Sequence, residues 1–330
     1  MPFYKRHPMI GPTYGDFHIA KDWAGATTRL LDITQGRGPV PLTLEVREFS
    51  PPSEENALDL KGRSMYYIPW AIADAESAER AVNAYADANV ESYLDALLDD
   101  SNHLVWDVFH AALRLSVFST PNNLLRSVLR LWVICRFIES GWRVCGNETL
   151  NAETLKDPFY DWISPPPYID YQFASIVIHR VLEPLRLKTL RGLQTLVLAN
   201  KSSNWYQIFL VSFILLHNYE LQERYLDMPL VRATHSGAKT ILAHFHYGCK
   251  GQRPFREDFD WKAPQIRRMA QLDAEQSVFM ERYKEQVTRN VASLRAINRT
   301  DKYEEKYWFV SQLFEEDWSP RDTCEHSPPS

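Results

Sequence analysis

The chain has 330 residues, a formal net charge of −5 and 45% hydrophobic residues. This composition excludes a disordered chain. The acidic balance excludes the overall attraction to phosphate backbones that a protein binding nucleic acid on its own usually has.

The N-terminal residues lack the charged and then apolar pattern of a signal peptide, so we expect a protein that is not secreted. The four cysteines, at positions 135, 145, 249 and 324, form no Cys-x-x-Cys pair. Such spacing is typical of free thiols in a reducing compartment, since a secreted disulfide framework would be denser.

Residues 1–73 are rich in proline and form the least regular part of the chain. Within them, Leu42–Phe49 alternates apolar and polar side chains, which predicts a strand. The segment Met65–Ile68 is its expected partner. The N-terminal segment is therefore predicted to contain a short β ribbon, at about 41–49 and 65–68.

From Asp74 onward the pattern becomes helical, and we interpret 74–318 as one helical domain. A largely apolar side recurs every three to four residues over about six turns, at Ala78, Val82, Tyr85, Asn89, Tyr93 and Leu97. A second helix is predicted over 103–118. A third begins at Thr120-Pro121, a capping residue followed by proline at the first helical position, and ends at Gly141.

Residues 144–169 contain Pro165-Pro166-Pro167 and are predicted to form a hinge between two lobes. A helix over 171–199 should be kinked by Pro184. The next helix, 204–224, carries an apolar run from Ile208 to Leu216 that is well short of the roughly 20 residues a bilayer needs. It is predicted to be a buried core helix, followed by a helix over 230–247.

Asp273 and Gln276 resemble a capping box that opens a further helix. Asp301 and Glu304 repeat the pattern before a predicted last helix over 302–316, and 319–330 is predicted to be a flexible tail. The fold class expected from these elements is all-α, a bundle of about eight helices with a short N-terminal β element.

Three histidines and a cysteine cluster in the sequence at His235, His244, His246 and Cys249. His244 and His246 are two residues apart and point in nearly opposite directions on a helix, so they cannot hold one metal ion. Structural zinc sites generally need four well-spaced ligands. We therefore expect these histidines to bond to backbone or neighbouring side chains, and we predict no metal site and no cofactor.

Asp99-Asp100-Ser101-Asn102-His103 is the one place to look for a terpene-cyclase-like magnesium site. A DDxxD motif requires a carboxylate where His103 stands. The companion Asn-Asp-x-x-Ser-x-x-x-Glu motif is missing from the sequence. The two aspartates are therefore expected to lie in a solvated turn between helices, although an all-α lyase or cyclase stays as an alternative.

Basic residues gather on the helix that follows the predicted hinge. Most such runs are solvated faces, but this one is also a candidate surface for an acidic partner or nucleic acid. Trp308 falls off the apolar stripe of the last predicted helix, so it is expected to be exposed and to contact a partner. The candidate interaction surface consists of Arg180, Arg186, Lys188, Arg191 and Trp308.

Several segments in a fixed order together resemble a known family. They are Leu131–Arg136, Cys145–Leu150, Phe213–Glu220, Gly237–Tyr247, Cys249-Lys250-Gly251 with Pro254-Phe255, and Val310–Trp318. From about 40 to 318, the chain resembles the C-terminal helical regulatory region of fungal transcription factors of the Zn2Cys6 (binuclear zinc cluster) type.

This resemblance implies a nuclear, non-enzymatic regulator of transcription. The family binds DNA through six closely spaced cysteines, and no zinc ligand can be carried over to the four scattered cysteines of this chain. The expected function is a regulatory module that contacts protein partners, with direct DNA binding unexpected and no membrane association. The alternative is an all-α enzyme or a helical protein that binds a small apolar ligand between the helices at 171–199, 204–224 and 230–247.

Overall fold

The computed structural model describes residues 24–49, 69–117, 124–152, 162–223, 228–298, 306–321 and 323. Within them the protein is predominantly helical, with a small antiparallel sheet near the N-terminus. The predicted fold class is therefore confirmed. The second strand of the expected ribbon, Met65–Ile68, lies outside the described residues.

Four strands form the sheet: β1 (Ala24–Thr34), β2 (Leu42–Phe49), β3 (Trp70–Ile72) and β4 (Arg143–Cys145). They are antiparallel in the order β3-β2-β1-β4. The prediction of β2 is confirmed, and its alternating side chains bury one face of the sheet. In register, Leu31 lies opposite Leu44 and Ile33 opposite Leu42, and these inward side chains are all buried.

The turn between β1 and β2 contributes a side chain that caps the C-terminal end of a helix. Gln35 Nε2 donates to the carbonyls of Arg136, Phe137 and Ser140 at 3.2, 3.3 and 2.9 Å, and Gln35 Oε1 accepts from Tyr93 at 2.8 Å. These carbonyls belong to the last turn of a helix, which has no internal donors for them. One side chain of the hairpin therefore caps a helix about a hundred residues away in sequence.

The helices have the following bounds: α1 Ala75–Ala88, α2 Val90–Leu97, α3 His103–Val117, α4 Leu124–Glu139, α5 Pro167–Ser175, α6 Glu183–Leu198, α7 Trp205–Glu223, α8 Met228–Gly248, α9 Pro264–Ala270, α10 Ala274–Asn298 and α11 Trp308–Ser311. A π-helical segment, Ile176–Leu182, joins α5 to α6, and 3-10 turns cover Ser202–Asn204 and Gln312–Phe314.

The first predicted helix is interrupted at Asn89. Asp74 caps α1, accepting from the backbone N–H of Ser77 at 2.7 Å. The buried amide of Asn89 donates to the carbonyl of Tyr85 at 2.7 Å. Asparagine competes for backbone groups in this way and favours helix ends, so α2 begins as a separate helix.

Pro184 changes the helix geometry just before it. In a regular helix the proline ring would clash with the carbonyl four residues earlier. Here the preceding segment is π-helical, and the N–H of Glu183 donates to the carbonyl of Ile178, five residues back. The predicted disturbance at Pro184 is therefore a π segment on its N-terminal side.

The prediction of a buried helix over 204–224 is confirmed by α7. Every side chain from Ile208 to Asn218 is buried. In the described part of the chain, no helix combines the length and the apolar character that crossing a bilayer requires.

The capping box before α10 is confirmed. The N–H of Gln276 donates to Asp273 at 2.7 Å, and the side chain of Gln276 accepts from the N–H of Asp273 at 3.2 Å.

The last predicted helix is wrong in extent, because the described chain is helical only from Trp308 and residues 301–305 lie outside the described residues. In the predicted tail, the side chain of Thr323 is fully buried and donates to Gln312 Oε1 at 2.5 Å, so this residue is packed against the second unit.

The chain divides into two compact units, each built from two stretches of sequence. The first comprises residues up to Ala96 together with Val133–Arg186, and the second comprises Leu97–Trp132 and Leu187 onward. The predicted hinge, 144–169, lies inside the first unit. Its described residues are held there, since the N–H of Val144 donates to the carbonyl of Ile163 at 2.8 Å and Leu150 is buried.

Each unit has its own aromatic core. In the first unit the rings of Tyr85, Tyr93, Phe137, Trp142 and Phe173 pack at centroid distances of 5.0–6.4 Å. In the second unit α7 supplies the centre of a larger cluster, whose members are Trp205, Phe209, Phe213, Phe245, Phe255, Trp261, Tyr283 and Phe314.

Candidate functional site

The structure places the predicted basic residues in different settings. Arg180 is half-buried in the π segment, and its guanidinium pairs with Glu79 at 3.6 Å. Arg186, Lys188 and Arg191 are exposed on α6. Lys188 and Arg191 are three residues apart and share one side of the helix, whereas Arg186 points about 200° away from Lys188. Only two of the four basic side chains therefore lie together.

Trp308 is buried, so the prediction of an exposed contact residue is wrong. Its side chain is 2% exposed and packs with His235 and Phe309 at ring distances of 5.4 and 5.0 Å. The error arose from the predicted helix over 302–316, whose stripe left Trp308 outside. The helix starts at Trp308, and its first residues face the core of the second unit.

A buried carboxylate fixes the beginning of this short helix. Glu220, on α7, accepts from the backbone N–H of Tyr307 at 3.1 Å and of Val310 at 2.8 Å. Negative charge is favoured where a helix begins, because the N–H groups there lack internal partners. Sequence reasoning missed this role, although a glutamate adjoining the most apolar run of the chain was a usable signal.

A cavity of about 380 Å³ lies in the second unit, between the end of α8, the loop at 252–258, α10 and the segment at 313–316. This is not the place expected from the sequence, which lay among the helices at 171–199, 204–224 and 230–247. Its apolar lining consists of Phe245, Pro254, Phe255, Val287, Val291, Leu313 and Phe314.

Charged side chains at the cavity are largely paired with one another. Arg253 donates to Glu316 at 3.0 Å and to Asp317 at 3.1 Å, and Arg295 lies 3.9 Å from Glu316. Arg256 forms a two-pronged contact with Asp258 at 2.7 and 2.6 Å. Because the guanidinium groups already have carboxylate partners, they do not require a negatively charged ligand, and the cavity suits an uncharged one.

Two of the three histidines, His244 and His246, lie within hydrogen-bond distance of backbone carbonyls, as expected from the sequence. His244 Nδ1 lies 2.7 Å from the carbonyl of Thr240, and His246 Nε2 lies 3.0 Å from the carbonyl of Gln312. Burial lowers the pKa of His246, whose ring stacks on Trp318. Burial also raises the pKa of Cys249 to about 12, which disfavours a reactive thiolate.

Neither a metal cluster nor the magnesium site takes shape in the described part of the chain. There, no group of three or more His, Cys, Asp or Glu side chains is arranged to hold a metal ion. Asp99 accepts instead from the N–H and hydroxyl of Ser101 at 3.0 and 2.6 Å, in the turn between α2 and α3. These hydrogen bonds lower the pKa of Asp99.

Comparison with known proteins identifies a family for this chain. No curated protein and no solved structure gave a significant match to the chain. A family model described as the KpeA transcription factor matches residues 14–313. The resemblance to transcription factors is thereby confirmed, while the link to the Zn2Cys6 class stays a prediction. Since the match covers most of its length, the chain belongs to the KpeA transcription factor family.

Proposed function

We propose that this chain is a non-enzymatic regulatory module that controls transcription in the nucleus through contacts with other proteins. The observation that carries the proposal is the family match over residues 14–313. Direct DNA binding is not part of the proposed activity. The net charge of −5 supports this view, because affinity for DNA depends largely on cationic groups that neutralise phosphates.

Tethering the whole chain to an unrelated DNA-binding domain tests the regulatory role. We expect the fusion to change the output of a reporter gene, upward or downward, relative to the DNA-binding domain alone. A protein that works through partners needs only to be brought to the promoter. Reporter output equal to that of the DNA-binding domain alone would contradict the proposal.

A gel-shift measurement with the purified chain tests the statement about DNA. At physiological salt we expect no retarded band below about 1 µM protein, a concentration at which specific DNA-binding proteins are saturated. Selection of a duplex sequence that the chain binds with a Kd of about 10 nM would make it a DNA-binding protein instead.

A second candidate function is the binding of a small, neutral, mostly apolar effector. The cavity of about 380 Å³ favours it, since small-molecule sites commonly occupy about 300–1,000 Å³. Its aromatic and aliphatic lining would remove such a ligand from water, and its paired arginines would be undisturbed.

Indole, a neutral aromatic probe, tests this second candidate. We expect millimolar indole to raise the melting temperature of the protein, because a ligand that binds only the folded state stabilises it. Val291→Phe should abolish the shift by filling the cavity, whereas Val278→Phe, at an exposed position of the same helix, should retain it. An equal shift in both variants would rule out binding in the cavity.

A further inference from the structure

Helix α6 carries two leucines where solvent-facing polar residues are normal. Leu187 and Leu198 are 48% and 68% exposed. The buried side of the helix is formed by Leu185, Leu193 and Val197, which are 8% exposed or less. The exposed positions farthest from that side follow the spacing 4-3-4, which aligns them along one line of a helix: Leu187, Arg191, Gln194 and Leu198.

The same stretch of sequence is basic, and Glu183, the acid that precedes it at the start of α6, lies 3.4 Å from His179. From Pro184 to Tyr219 the sequence contains no aspartate or glutamate, although the whole chain has more acidic than basic residues. Lys188, Arg191 and Lys201 are exposed there. Across the described ranges none of the three is in an ion pair, in contrast to Arg180, which pairs with Glu79.

A further ammonium group is fixed at the end of this surface. Lys250, at the end of α8, donates to the carbonyl of Asn200 at 2.7 Å and lies 3.4 Å from the hydroxyl of Ser202. The carbonyl ends of helices attract cations. The exposed leucines are thus accompanied by four cationic side chains along α6 and just beyond its end.

We propose that the α6 crest, defined as Leu187, Lys188, Arg191, Gln194 and Leu198, docks an acidic amphipathic helix of a partner protein. An apolar stripe on that helix would cover the two leucines, and flanking carboxylates would meet the lysine and the arginine. The crest spans about 16 Å at 1.5 Å per residue, which corresponds to three turns of a docked helix. This inference rests on the proposed function, because it names the kind of partner through which the module acts.

Charge and shape favour a peptide over a nucleic acid here. Leucines on the most prominent line of the helix would lie against sugar and phosphate groups and gain no burial from hydrated phosphates. An acidic helix gives both kinds of side chain a complementary partner.

The test uses the full chain and a labelled synthetic helix with leucines spaced 4-3-4 and flanked by glutamates. A comparison peptide has the same composition but has its leucines spread around the helix. By fluorescence anisotropy we expect the first peptide to bind at least about tenfold more tightly than the second, because only the first forms a continuous apolar stripe. Raising the salt concentration should weaken binding, since exposed charges are screened.

Two double variants locate the binding surface. Leu187→Ser with Leu198→Ser, and Lys188→Glu with Arg191→Glu, should each weaken the peptide at least about tenfold, as loss of central anchor residues does at interfaces. Arg186→Glu and Leu30→Ser are matched controls that should leave affinity unchanged. Arg186 lies on α6 about 140° from Arg191 and faces away from Lys188, and Leu30 is an exposed leucine in the sheet.

Equal binding of the two peptides would overturn the inference, and so would unchanged peptide affinity in both double variants. The inference would also fail if the wild-type chain bound duplex DNA and the double variants lost that binding while still binding the peptide. Sedimentation showing a wild-type dimer that the leucine variant dissociates would likewise assign the crest to a second copy of the chain.

The reporter assay separates this inference from the proposed function. A silent tethered fusion together with peptide binding as expected refutes only the regulatory role. An active fusion whose output is unchanged in both double variants refutes only the assignment of the crest to the regulatory partner.

Discussion

Replacing Phe209 by alanine is expected to lower the free energy of unfolding by about 3–5 kcal/mol, the usual cost of removing a large buried ring. Phe209 is fully buried on α7. Its ring packs on Phe255 at 5.3 Å and on Tyr283 at 5.5 Å, so three separate segments of the second unit meet there. The vacated volume cannot be refilled without moving those segments, which adds a cavity cost to the lost burial.

Urea denaturation followed by circular dichroism measures this change. Tyr247→Ala is the matched control, because it removes an exposed aromatic ring from the neighbouring helix α8. Its effect should stay within about 0.5 kcal/mol. A loss below about 1 kcal/mol for Phe209→Ala would show that α7 is not the centre of the second unit.

Glu220→Ala is the second large effect, with an expected loss of about 3 kcal/mol. The substitution leaves the buried N–H of Val310 and the part-buried N–H of Tyr307 without their acceptor. A fully buried donor without a partner costs about 1–3 kcal/mol, and a part-buried one costs less because water reaches it. Glu220→Gln keeps one acceptor oxygen, so its loss should be about half as large.

Amide hydrogen exchange distinguishes this local effect from general destabilisation. In Glu220→Ala we expect faster exchange first at Tyr307 and Val310, because the short helix opens before the rest of the unit. The denaturation midpoint of the glutamine variant should lie between those of the wild type and the alanine variant. If the two variants lost the same free energy of unfolding, or if exchange accelerated uniformly along the chain, Glu220 would not cap the short helix.

The sequence was informative wherever one periodicity ran without interruption. The apolar run of α7, the alternation of β2 and the reciprocal cap at Asp273 and Gln276 each correspond to one local rule, and each is found in the structure. In such segments a side chain's surroundings are determined mainly by its near neighbours in sequence.

Elements that depend on distant partners were missed. Strand β1 places Leu31 and Ile33 inward but also exposes Leu30, so its alternation of residue types is broken. Strand β4 has only three residues and exists through its pairing with Asp32–Thr34. Trp308 was misplaced for a related reason, since its burial depends on a helix start fixed by Glu220 from another helix.

The candidate site was predictable only in part. Lys188 and Arg191 were visible as basic residues in the sequence, but no local pattern marked Leu187 and Leu198 as exposed. Their exposure follows from the orientation of α6, which Leu185, Leu193 and Val197 set by packing inward. The cavity was not predictable because loop 252–258 and segment 313–316 have no helical period to place them.

The cap that Gln35 provides has a consequence for synthesis on the ribosome. The Ser140 carbonyl that it binds is 105 residues downstream. At roughly 5–20 residues per second, the nascent hairpin waits about 5–20 s for that acceptor to emerge. During that interval the apolar face of β1 and β2 cannot pack against Val133–Arg186, the later stretch of the first unit. This exposed apolar surface is of the kind that chaperones bind during synthesis.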